Sequence, residues 1–272
     1  MAVVALPRRA RGRQNAAGVG PLGLGVATLW LSIVVLLPLA AVFAKSLDGG
    51  VGALVDAITA PAARATLILT VVVSAIVALI NMVTGTLIAW VLVRDDFRGK
   101  SLVNAVIDLP FALPTIVASI VLLSLYGPRS PIGLDLYATR PALVIALAFV
   151  TLPFVVRSVQ PVLTEVDREA EEAAASLGAN GWTTFRRITL PALYPALLGG
   201  AGLAFARAVG EFGSVVLIGG GIPRETEVAS QYIAKQIEID RPATAAAVSV
   251  ALLAISFAVL FALRIVAKRG QR

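Results

Sequence analysis

The chain has 272 residues, of which 58% are hydrophobic and only 14% charged, whereas soluble globular domains carry about 25% charged residues. That deficit puts the chain in the membrane class, so its formal charge of +7 is read as a topology signal rather than a nucleic-acid footprint. With no cysteine and no histidine, disulfides, thiolate chemistry and the commonest general base and metal ligand are all excluded.

A basic tail, residues 1–21, comes first. Six stretches then satisfy the requirement of roughly 20 apolar residues for crossing about 30 Å of hydrocarbon. They lie near 22–44, 65–93, 102–126, 141–157, 192–220 and 243–264. Together with their connections they define a membrane domain over 22–267, followed by a short basic tail, 268–272. The first span lies in an uncharged run of 31 residues, Gln14 to Ala44. A secretory leader has an apolar core of only about 7–15 residues. Cleavage would also leave five spans and break the charge pattern, so the run is read as a retained span.

Asp108 sits between two Leu/Val-rich runs and precedes Leu109-Pro110. Asp is a good N-cap and Pro suits a first helical turn, so a new helix is expected to begin there. The alternative is a broken helix lining a path, its positive end facing an anion. Arg207 and Glu211 stand four residues apart in the fifth span, on one helix face. Charges at membrane depth mark a pathway or a pair. A structural ion pair, within the helix or across a subunit interface, and a pathway arginine are both open. Gly210 and Gly213 beside them are small enough for close helix packing.

Lys and Arg distribute unevenly over the connections. Fifteen fall in the N-terminal tail, the 94–100 loop, the 157–191 loop and the C-terminal end; seven fall in the opposite loops, and Arg207 lies within a span. The positive-inside rule therefore puts both termini and the 158–191 connection in the cytoplasm. Two nucleotide motifs fail. Gly18-Val19-Gly20-Pro21-Leu22-Gly23 fits G-x-G-x-x-G but follows an Arg-rich tail rather than a strand. Gly99-Lys100-Ser101 ends like a P-loop, but Arg94 stands where its first Gly belongs.

The 158–191 connection has helical grammar. Pro161 can open a helix, and Glu165, Asp167, Glu169, Glu171 and Glu172 crowd its front, where the dipole favours acids. Leu177-Gly178 reads as a helix end with Gly in the left-handed cap. Asn180-Gly181 is a turn signal. A second short helix carries Trp182, Phe185 and Ile188 on one face and ends at Arg186-Arg187; the next span starts after Pro191.

Within it, Glu172-Ala173-Ala174, Gly178, Ile188 and Leu190-Pro191 match E-A-A-x3-G-x9-I-x-L-P in full. This resembles the EAA loop of bacterial ATP-binding-cassette (ABC) importer permeases. Asp108-Leu-Pro-Phe-Ala-Leu-Pro114, Arg157-Ser-Val-Gln-Pro-Val-Leu163, Ala206-Arg-Ala-Val-Gly-Glu-Phe-Gly-Ser214, Gly219-Gly220-Gly221 and Thr226-Glu227-Val228 narrow the resemblance to the T-type permeases of sulfate/thiosulfate importers. Molybdate permeases share the Arg-x-x-Gly-Glu-Phe-Gly piece. The likeness covers roughly residues 65–265; the 127–140 loop is shorter than the family pattern, which leaves contacts to a binding protein open.

The resemblance implies an all-α membrane protein of six transmembrane helices with the type I ABC importer permease fold and a cytoplasmic EAA coupling loop, in the bacterial cytoplasmic membrane. Glu172, Ala173, Ala174, Gly178, Ile188, Leu190 and Pro191 would couple to an ATPase. Asp108, Arg207, Gly210, Glu211 and Gly213 would line the path or a subunit interface. The partners implied are two ABC ATPase subunits, a second homologous permease, an extracytoplasmic sulfate/thiosulfate-binding protein and membrane lipid, with no nucleic acid. No catalytic group and no cofactor are expected on this chain; ATP and magnesium belong to the ATPase. A molybdate or tungstate importer permease is the alternative of the same class. An intramembrane enzyme is disfavoured by the missing His and Cys, and a stand-alone carrier by the complete EAA spacing.

Overall fold

The structure is a computed structural model and describes residues 21–269. The four arginines of the N-terminal tail, the start of the rejected G-x-G-x-x-G and Gly270–Arg272 lie outside the described residues. Residues through Ala44 form one compact unit and those from Lys45 another. Helix α1, Gly23–Ser46, contains one π-helical turn at Ser32–Leu36. Its side chains from Leu24 to Ala44 are all exposed. A helix apolar all round and of this length suits a membrane crossing.

The second unit contains α2 (Gly50–Thr59), α3 (Pro61–Arg94), α4 (Lys100–Ala112), α5 (Thr115–Tyr126) and α6 (Arg140–Glu165). It continues with α7 (Arg168–Ser176), α8 (Gly181–Val209), α9 (Gly213–Val216), α10 (Ala229–Glu238) and α11 (Pro242–Arg269). No strand occurs among the described residues. Five helices are long and apolar enough to cross a bilayer, and α4 with α5, bent by 114°, make a sixth if counted as one crossing. In hydrocarbon every backbone polar group must be satisfied within the chain, which is why helices fill this list.

Helices α3, α6 and α8 pack against one another and α11 packs on α8. Their shared core includes Val155, Val156, Val159, Leu193 and Ala89, all buried. Two glycines set the spacing. A Cβ on Gly85 would lie 2.9 Å from Val155 Cβ, and one on Gly200 would lie 3.0 Å from Val155 Cα. Small residues thus let three backbones meet at Val155, the usual substitute for a hydrophobic drive between helices in lipid. Farther along, Asn81 of α3 donates to Ala148 O (3.0 Å) and Thr151 Oγ1 (2.8 Å) of α6. Such interhelical bonds contribute about 0.6 kcal/mol on average in a membrane.

Three boundaries differ from the sequence reading. The fourth span does not stop at 157; α6 runs to Glu165, with Pro153 and Pro161 inside it, so Pro161 does not open α7. The fifth span does not run to 220 as one helix; α8 ends at Val209 and a short α9 follows. Nor does a new helix begin after Pro191, because a π turn, Phe185–Thr189, joins the second short helix to the span that follows, within α8. Membrane helices tolerate interior Pro because neighbouring helices and local π turns re-satisfy the freed carbonyls.

Candidate functional site

At one end of the bundle α7 stands out as a short polar helix. Asp167 caps it, accepting from Glu169 N at 2.9 Å. Its other end closes as a Schellman motif: Gly178 N–H bonds Ala175 O (2.9 Å) and Ala179 N–H bonds Ala174 O (3.0 Å). Gly178 has φ +85°, and a Cβ there would touch nothing within 4 Å, so only backbone conformation demands glycine. Asn180 then caps α8 through Thr183 N–H at 2.9 Å. Glu172, Ala173, Gly178 and Pro191 are exposed, while Ala174, Ile188 and Leu190 are half-buried. Leu177 is 89% exposed and Trp182 69%, an apolar rim that water alone does not favour.

The two adjacent glutamates have opposite fates, which the sequence reading did not separate. Glu172 is exposed and has no ion pair among the described residues. Glu171 turns inward: Arg94 Nη2 of α3 donates to its Oε1 at 2.8 Å, and Thr189 Oγ1 of α8 donates to the same atom at 2.6 Å. Arg94 in turn lies over the Trp90 ring, 5.4 Å from its centroid, and Phe185 bridges Trp90 and Trp182, each 5.6 Å away. Glu171 therefore ties α7 to the membrane helices. Removing one partner of a buried ion pair is costly because the other charge is left uncompensated. Glu171→Ala is expected to raise amide hydrogen exchange over residues 168–176 by at least about tenfold, with α3 and α6 unchanged. Glu172→Ala should leave exchange at the parental rate.

The second candidate region is where two interrupted helices meet. Leu113 precedes Pro114, which steers it out of the helical region to ψ 134° and ends α4. Helix α5 restarts at Thr115. The other interruption is Gly210–Phe212, between α8 and α9. The two lie together: a Cβ on Gly213 would fall 2.1 Å from Thr115 Oγ1 and 2.9 Å from Ile116 N. Ser119 Oγ of α5 also accepts from Leu217 N (3.1 Å) and Ile218 N (3.2 Å). Gly213 thus stands where two backbones of this chain approach closely. Gly210 does not; it is exposed, and its Cβ would meet only Ala206 O at 4.0 Å. Overpacking of such a contact costs about 1–3 kcal/mol. Gly213→Ala is expected to lower Tm and membrane abundance. Adding Thr115→Ala should recover part of the loss, not all, because the Ile116 backbone stays in place.

Arg207 and Glu211 form an ion pair, although not on one helix face: α8 has ended before Glu211. Glu211 N–H still reaches Ala208 O at 3.2 Å, which keeps the carboxylate one turn from Arg207. The Glu211 side chain is 1% exposed against 38% for Arg207. Glu211 also accepts from Ser214 N at 2.9 Å in the first turn of α9, and its carbonyl accepts from Ser230 Oγ at 2.7 Å. It is the knot that holds the α8–α9 break to α10.

Asp108 caps nothing. Helix α4 runs through both Asp108 and Pro110. Arg157 of α6 grips Asp108 through two nitrogens, Nε to Oδ1 (2.8 Å) and Nη2 to Oδ2. Its Nη1 donates to Asn104 Oδ1 (3.1 Å) and Gln160 Oε1 (2.6 Å). Arg157, counted with the cytoplasmic loop from sequence, is a helical residue fastening α4 to α6. A carboxylate and an arginine 49 positions apart carry no local sequence signal of pairing.

Comparison with known proteins agrees with this architecture. The family described as binding-protein-dependent transport system inner membrane component matches residues 81–271. The sulfate transport system permease protein CysT of Synechocystis sp. is 41% identical over 255 residues, covering 91% of this chain and 89% of the relative. That of Escherichia coli (strain K12) is 40% identical over 259 residues, covering 92% and 93%. Among solved structures, a bacterial ABC transporter involved in the import of the acidic polysaccharide alginate superposes with TM-score 0.76 at 17% identity, over 90% of this chain and 93% of the other. An inward-facing MetNI methionine ABC transporter gives TM-score 0.61 at 20% identity, over 76% and 95%. At those identities the structures bear on the fold, which is that of ABC transporter permeases, while the family and the close relatives bear on membership: the chain belongs to the family of binding-protein-dependent transport system inner membrane components.

Proposed function

We propose that this chain is a permease subunit of an ABC importer that carries sulfate or thiosulfate into the cell. The observation that carries the cargo is the identity of about two residues in five, along some nine-tenths of the chain, to permeases named for sulfate transport. In this reading the chain pairs with a second, homologous permease. Two ATPase subunits, which hold ATP and magnesium, seat on the cytoplasmic face. A soluble extracytoplasmic protein delivers the anion; a related fold is described as a complex with a periplasmic protein bound to alginate pentasaccharide. The chain itself binds no cofactor.

Coupling follows from α7. It is short, capped at both ends and tied to α3 and α8 by Glu171, so a push on its exposed side moves helices rather than bending a loop. Glu172, Leu177 and Trp182 are exposed there to meet a partner. The junction of the two helix interruptions, with Arg207 and Glu211, lies on or beside the route. Both termini and α7 are cytoplasmic.

A strain lacking the chain, complemented with the parental copy, tests cargo: labelled sulfate uptake should return, and excess thiosulfate should compete. Restoration of molybdate uptake alone would replace the cargo with molybdate. Orientation is tested by a single cysteine, possible because the chain has none. Cysteine at Asn180 should resist an impermeant reagent in intact cells, while cysteine at Arg224 should react.

A further inference from the structure

Beside the coupling helix lies a cavity of about 380 Å³, lined by Arg94, Lys100, Gln160, Thr164 and Arg168 together with apolar side chains and no carboxylate. Three cations thus converge from the end of α3, the start of α4 and the start of α7, and α6 adds an amide and a hydroxyl. Glu171 and Glu172 line the adjoining pocket, which Arg94 and Arg168 share. The Arg94 side chain is 12% exposed, and its Nη2 is engaged by Glu171 at 2.8 Å. Its Nε is buried and has no hydrogen-bond partner among the described residues. Arg168 has no ion pair among the described residues. Lys100 is held only by Asp95 O (3.0 Å) and by fully exposed Asp96 (3.2 Å), a pairing that solvent weakens.

We propose that this cavity binds a tetrahedral oxyanion, either a free sulfate or phosphate or the phosphate of an anionic lipid headgroup. Planar guanidinium donors suit such oxygens, and basic pockets between membrane helices at the cytoplasmic end take phosphate headgroups. The anion sits among the Arg94, Lys100 and Arg168 charges while Arg94 Nη2 keeps Glu171. It therefore braces α7 against α3 and α6 at the joint through which coupling passes. The site is separate from the Arg207 region and does not depend on which cargo the importer carries.

Trp90 is the reporter, since Arg94 lies over its ring. The chain has three tryptophans, and Trp30→Phe with Trp182→Phe leaves Trp90 as the sole indole. The full chain is placed in phosphatidylcholine nanodiscs and titrated with sodium sulfate or phosphate against sodium chloride at constant ionic strength. A saturable change in Trp90 emission is expected with the oxyanions and not with chloride. Lys100→Gln with Arg168→Gln, which spares the Arg94–Glu171 pair, should weaken it by at least about tenfold, the scale of losing one charged hydrogen bond. If phosphatidylglycerol in the disc abolishes the sulfate response, the headgroup is the occupant; if the response is the same in both lipids, the free anion is. No saturable response over chloride in either lipid, or a response that survives the double substitution, overturns the proposal. Failure of sulfate uptake in cells leaves this titration untouched, so the cargo reading and this site are tested independently.

Discussion

Gly178→Val is expected to cut transport by at least about tenfold while the chain stays in the membrane at parental abundance, and Gly178→Asn to keep most of the activity. The glycine sits at φ +85° with open space where a side chain would go. Sterics against a neighbour therefore play no part; the whole effect comes from backbone. A β-branched residue at positive φ is strongly disfavoured, whereas Asn tolerates the left-handed region. Holding a residue in such a region costs on the order of 1–3 kcal/mol, and α7, nine residues long, has few bonds with which to resist. It would surrender the closure made by Ala175 O and Ala174 O with the amides of Gly178 and Ala179. The helix end then frays where an ATPase is proposed to press. The apolar spans keep their own packing on one another, so insertion is spared. Parallel measurement of ATPase activity and uptake in the reconstituted transporter checks this: ATP use continuing without uptake is the expected result. Normal uptake by the Val variant would remove the coupling role from this turn.

Glu211→Ala is expected to have a large effect on stability, by about 1–3 kcal/mol, the cost of leaving a buried donor, here the Ser214 amide, without its acceptor. Its carboxylate is enclosed and serves both Arg207 and the amide of Ser214. Deletion leaves a charge and a donor unmet, so the protein should be scarce in the membrane. A charge swap is no remedy, because Arg at 211 cannot accept from Ser214 N–H. The neutral pair, Arg207→Gln with Glu211→Gln, should restore abundance: the Gln carbonyl can still accept from Ser214, and neither charge needs solvation. At matched abundance we expect the neutral pair to take up sulfate within about threefold of the parent, a spread of under 1 kcal/mol. The paired carboxylate already cancels the field that Arg207 would offer an anion. A loss beyond tenfold at equal abundance would instead put Arg207 in contact with cargo.

The Gly178 turn follows from one residue's own conformational preference, and the sequence reads it as a left-handed helix end. The N-cap at Asp108 and the helix start at Pro161 rest on the same kind of local rule and fail, because the helices run through both. The two acids at 171 and 172 show the limit. Their identity fixes a helix front, yet only the packing of α7 on α3 and α8 decides that Glu171 faces Arg94 and Glu172 faces outward. In the same way Gly210 and Gly213 read alike in sequence, and only the proximity of Thr115 makes one of them obligatory.

The sequence by itself determined the membrane class, the all-helical fold and the spacing of the 172–191 motif, because hydrocarbon thickness and turn chemistry act on contiguous residues. Tertiary structure decided where helices pass through Pro110, Pro153 and Pro161, and where they break, at Leu113–Pro114 and Gly210–Phe212. Uniformly apolar helices have no polar face to set their phase, and in lipid a proline's lost hydrogen bond can be replaced by neighbours. Pairings such as Arg157 with Asp108 and Gly213 with Thr115 link residues far apart in the chain, so they arise only once the bundle has closed.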